Sequence, residues 1–77
     1  MESEHSLIIF FDPSIGKDAL LAAIDEYGAT IIYEYRNING VSIRIPQGTF
    51  IGDAIEFFKN VDGVTLVKRD QMLHIDD

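Results

Sequence analysis

Apolar residues in this chain come in short bursts whose period changes from segment to segment. Leu7-Ile8-Ile9-Phe10-Phe11 is a β-branched and aromatic run without a polar break, which predicts a strand buried on both faces and therefore central in its sheet. Asp12-Pro13-Ser14 follows as a turn able to open a helix, with Asp12 or Ser14 as N-cap and Pro13 in the first turn. From Ile15 to Tyr27 the period becomes helical. Leu20, Ala23, Ile24 and Tyr27 share one face, while Lys17, Asp18, Asp25 and Glu26 fall largely off it. Gly28 stands where a left-handed C-cap is expected.

A second strand is expected from about Ala29 to Arg36, and Asn39-Gly40 is a hairpin signal. Val41-Ser42-Ile43-Arg44-Ile45 then alternates as a third strand with one buried face. Pro46 to Thr49 reads as a loop with Thr49 as N-cap. Phe50, Ile51, Ala54, Ile55 and Phe58 mark a second amphipathic helix ending near Lys59-Asn60. Asp62-Gly63 turns the chain into a last strand, Val64-Thr65-Leu66-Val67. The pattern then becomes ragged, which divides a core of about residues 6–68 from a polar tail, 70–77.

The order βαββαβ, with right-handed crossovers, closes as one α+β ferredoxin-like sandwich. It has a four-stranded antiparallel sheet with two helices on one face. The helices leave the other face open, although Leu7 to Phe11 and Ile31-Ile32 are apolar on both sides. An uncovered apolar sheet face is a candidate interaction surface.

Composition narrows the chemistry. Seventy-seven residues make one domain, and 47% hydrophobic residues with five Phe and three Tyr suffice for a core. The absence of cysteine rules out disulfides and thiolate metal sites. Six basic against thirteen acidic residues give a net charge of −7. That charge disfavours nucleic acid and favours a partner that is basic or presents helix N-termini. The apolar run Leu7–Phe11 is too short to cross a bilayer. No membrane partner is expected, and the acidic start does not read as a signal peptide. A complete chain would therefore be cytoplasmic, and a fragment cut from a longer precursor extracellular.

Catalytic patterns are missing from the sequence, so no enzyme activity and no cofactor are expected. The serines Ser3, Ser6, Ser14 and Ser42 lack a nucleophile-elbow context. The six glycines match neither a P-loop nor a dinucleotide fingerprint. His74 with Asp70, Asp76 and Asp77 has the residue types of a metal cluster but reads as a solvated charge run.

The stretch Val64-Thr65-Leu66-Val67-Lys68-Arg69-Asp70-Gln71-Met72-Leu73-His74-Ile75-Asp76 resembles the end of subtilisin propeptides and the related free-standing fungal serine-proteinase inhibitors, V-x-x-V-E-E-D-x-x-x-H-x-x. Helix Phe50 to Asn60, Gly28-Ala29-Thr30-Ile31, Tyr33-Glu34-Tyr35, Asn39-Gly40 and Val41 to Pro46 extend the likeness, the last three toward the fungal inhibitors. The resemblance implies a βαββαβ domain whose open sheet face, with Ile8, Phe10 and Leu66 as its candidate contacts, packs on two helices of a subtilisin-like serine protease. The tail would lie in the substrate cleft as a product-like inhibitor, and the domain would act as inhibitor or folding chaperone. It further implies that Leu73 fills an apolar pocket and that Ile75 is the penultimate contact. His74 would lie between them, and Asp76 would enter the primary specificity pocket. Asp70 would cap a helix of the protease. Lys68 and Arg69 stand where the family carries two acids, Asp76 replaces a large apolar residue, and Asp77 adds one residue.

Two other readings share this topology. One is a small-molecule-binding regulatory domain of the ACT type, for which Asp12-Pro13-Ser14-Ile15-Gly16 has the residue types at a different spacing. The other is a homodimer joined through its open sheet faces. The protease-binding reading expects a monomer when free.

Overall fold

In the computed structural model, which describes residues 6–69, the elements follow in the order β1 (Ser6–Phe11), α1 (Asp18–Tyr27), β2 (Thr30–Tyr35), β3 (Gly40–Arg44), α2 (Ile51–Lys59) and β4 (Val64–Arg69). The strands form one antiparallel sheet ordered β2-β3-β1-β4. This is the α+β ferredoxin-like arrangement, and the doubly apolar β1 lies inside the sheet.

Leu7 and Ile9 of β1 and Val41 and Ile43 of β3 point to one side, where Leu20, Ala23 and Ile24 of α1 and Ala54 and Phe58 of α2 meet them. The helices close over each other through Tyr27, whose ring lies 4.7 Å from Phe57 and 5.3 Å from Phe58 between centroids. Aromatic contacts of this kind add to the area they bury.

Both helices begin later than their patterns predict. Asp12 and Ser14 cap nothing: the Asp12 carboxylate accepts the Ser14 N–H at 2.9 Å and the Ser14 hydroxyl at 2.8 Å, forming a local Asx turn. Gly16 then takes a φ of 92°, and α1 starts at Asp18 behind Lys17, which makes no side-chain cap. Thr49 is no cap either. Its N–H donates to the Pro46 carbonyl at 3.2 Å, Gly48 adopts a φ of 87°, and extended Phe50 precedes α2. Phe50 is 71% exposed and leaves the helix face assigned to it. At the other end of α1, Gly28 is left-handed as expected and donates to Asp25.

Hydrogen bonding from Ser14 holds the Asp12 carboxyl below the ordinary 3.8 of an aspartate. A depressed folded value means that the stability contributed by this carboxylate is present above the unfolded value and lost as pH falls through the folded one. Asp12→Asn keeps an acceptor for Ser14 but cannot titrate. Its urea midpoint is expected to fall less than that of the parent between pH 5 and pH 2.5; equal falls would remove Asp12 from the acid response.

Candidate functional site

The open face of the sheet follows from the strand register. In an antiparallel sheet, directly paired residues share a face. One row across all four strands reads Tyr35, Gly40, Phe10, Leu66. The next reads Tyr33, Ser42, Ile8, Lys68, and Thr30, Arg44 and Ser6 form a third row. Ile8, Phe10 and Leu66 thus lie together on the side away from the helices.

Gly40 shapes the centre of this face. A Cβ built there would sit 3.1 Å from Cδ1 and Cε1 of Phe10, so the Phe10 ring lies across the glycine backbone. Tyr33 and Tyr35 pack edge to face, with centroids 4.8 Å apart. Tyr33 is 58% and Leu66 50% exposed, whereas Ile8 and Phe10 are half-buried. Ser42, flanked in its row by Tyr33 and Ile8, is buried. The result is an aromatic and aliphatic band running from β2 to β4.

The tyrosines were not expected on this face, and the reason is a bulge. Strict alternation along β2 places Ile31, Tyr33 and Tyr35 on the same side. The register with β3 shifts between Ile31 and Tyr33, so Ile31 pairs with core residue Ile43 while Tyr33 pairs with Ser42. A one-residue insertion flips every later side chain. The spacing of Tyr33 and Tyr35 marks an aromatic strand face, but nothing local announces the bulge.

Charge on this face runs against the rest of the chain. Glu34 is the only acid in the four strands, and it pairs with Val41 on the helix side, where it accepts from Lys17 at 2.8 Å. The open face carries Arg44 and Lys68 instead. Arg69 pairs with Leu7 and so belongs to the other side, which puts Lys68 and Arg69 on opposite faces of the sheet.

Asp70, Leu73, His74, Ile75 and Asp76 lie outside the described residues, as does the rest of the His74 acidic cluster. Among the described residues no three His, Cys, Asp or Glu side chains are grouped to hold a metal ion, and no helix is long and apolar enough to cross a membrane. Comparison of the chain with family models, curated proteins and solved structures finds no match.

Proposed function

We propose that the chain is a protease-binding domain of the subtilisin-propeptide type. It docks through the open sheet face and inhibits through residues 70–77 in the substrate cleft. The observation that carries the reading is the band of Tyr33, Tyr35, Phe10 and Leu66 on the sheet face away from the two helices. Large aromatic and aliphatic side chains of this kind supply most of the energy of protein interfaces. Strand β4, which contributes Leu66, runs directly into the tail that resembles the propeptide ends. Sheet contacts would hold the domain while the extended tail adds backbone hydrogen bonds in the cleft. In this role the chain binds a protein, carries out no reaction and needs no cofactor.

The test is a titration of a subtilisin-type protease with the purified chain, followed over hours. Stoichiometric and lasting inhibition is expected, together with at least a tenfold loss of affinity, about 1.4 kcal/mol, for Leu66→Asp. Full protease activity in the presence of intact domain at high micromolar concentration would overturn the reading.

Lys68 yields a sharper prediction. It lies on the docking face, where the resemblance puts a carboxylate against a helix N-terminus. A cation there is unfavourable and an anion favourable, each by about 0.3–1 kcal/mol. Lys68→Glu should therefore tighten binding to a conventional subtilisin by roughly three- to thirtyfold. Arg69→Glu, on the other side of the sheet, should do less. Inhibition constants measured at low salt decide between them, and a weaker Lys68→Glu variant would contradict the proposed docking.

A further inference from the structure

A cleft of about 340 Å³ opens at the end of the sheet where the β2–β3 hairpin passes the start of α1. Its apolar walls are Phe11 and Val41, which pack with the core, and Tyr35 and Gly40 from the hairpin end of the open-face row also line it. Its polar rim comprises Lys17, Glu34, Arg36 and Asn39.

The rim has a surplus of one positive charge. The Glu34 carboxylate accepts from Lys17 at 2.8 Å, and the Arg36 guanidinium acts on the same carboxylate, which together hold its pKa below the usual glutamate value. One acid faces two bases. Lys17 is occupied by the ion pair, but Arg36 donates no hydrogen bond among the described residues and is exposed at the mouth. Asn39 is held in place by its backbone: φ is 53° and its carbonyl accepts the Phe11 N–H at 3.0 Å. Its side-chain amide makes no hydrogen bond among the described residues. A free guanidinium fork and an adjacent amide above an apolar wall match a planar anion with a hydrophobic body.

We propose that this cleft binds a small monocarboxylate, whose carboxylate engages Arg36 and Asn39 and whose apolar body lies against Phe11 and Val41. A single negative charge fits the surplus of one; a phosphate dianion would bring its second charge against Glu34. The volume is at the lower end for ligand pockets, which restricts the ligand to a small molecule.

The experiment is an amide chemical-shift titration of the full chain with benzoate, and with inorganic phosphate and benzylamine as comparisons. Benzoate should give saturable shifts at Lys17, Arg36, Asn39 and Gly40 with a Kd below about 10 mM, leaving Ile8 and Leu66 unmoved. Arg36→Gln, at an exposed hairpin position, should weaken it about tenfold or more. Arg36→Lys should restore part of that loss, because it returns the charge without the fork. No saturable shift, equal binding of phosphate or benzylamine, or an unchanged affinity in Arg36→Gln would each overturn the proposal. Protease inhibition plays no part in this readout, so the outcome is independent of the docking proposal.

Discussion

Phe58→Ala is expected to remove about 3–5 kcal/mol of folding stability. A domain of 77 residues has only roughly 4–12 kcal/mol in total, so much of the population would unfold. The size of the effect comes from where Phe58 sits. It is fully buried, and α2 presents only one other fully buried residue, Ala54, to the sheet. The ring also stands at 86° to Phe57 at 5.0 Å and meets Tyr27 of α1. Removing it would take away the main anchor of α2 and the aromatic contact between the helices. Alanine leaves a cavity that the surrounding strands can only partly close, whereas Phe58→Leu keeps much of the volume and should cost less. Urea unfolding followed by circular dichroism measures both variants. A loss below about 1 kcal/mol for Phe58→Ala would mean that the core does not rest on this residue.

Removing residues 70–77 should have the opposite signature, leaving stability nearly unchanged while abolishing inhibition. The ten buried apolar residues of the described core all lie between Leu7 and Phe58, so the truncation deletes none of them. Under the proposed function the tail alone enters the substrate cleft, and the sheet face only holds the domain in place. The truncated chain is expected to bind the protease through that face, but with an inhibition constant raised at least about a hundredfold, roughly 2.7 kcal/mol. Inhibition assays and unfolding midpoints on the same preparation separate the two effects. Undiminished inhibition by the truncated chain would place the inhibitory contact elsewhere.

The architecture was legible where hydrophobic period alone decides it. β1, apolar on both faces, lies between β3 and β4 as that pattern predicts, and Leu20, Ala23 and Ile24 reach the core as their spacing requires. Helix starts were less legible, because Asp12-Pro13-Ser14 satisfies the rules for an N-cap and for an Asx turn equally well. The choice is made by distant partners: Asp12 N–H donates to the Gly63 carbonyl at 2.7 Å, which carries the chain on past β1 beside β4. Gly63 is itself constrained by a φ of 90° and by Ile15, whose Cγ2 lies 3.0 Å from where a Cβ would be. No local pattern reports such contacts.

The candidate sites divide in the same way. Ile8, Phe10 and Leu66 could be assigned to the open face because they belong to regular strand segments. Tyr33 and Tyr35 could not, because a bulge in β2 reverses their side of the sheet. The cleft around Arg36 was hidden for a different reason. Lys17 and Glu34 are seventeen residues apart and meet only once α1 is laid beside β2, and neither carries a periodic signal.

Docking through the open sheet face is tested by mapping that face in the complex. The isotope-labelled chain would be mixed with a subtilisin-type protease whose nucleophilic serine has been replaced, so that the tail is not consumed. Amide resonances of Ile8, Phe10, Tyr33 and Leu66 are expected to shift or broaden on binding while those of the buried faces of α1 and α2 stay in place. Perturbations centred on the helices, or none at stoichiometric protease, would contradict it.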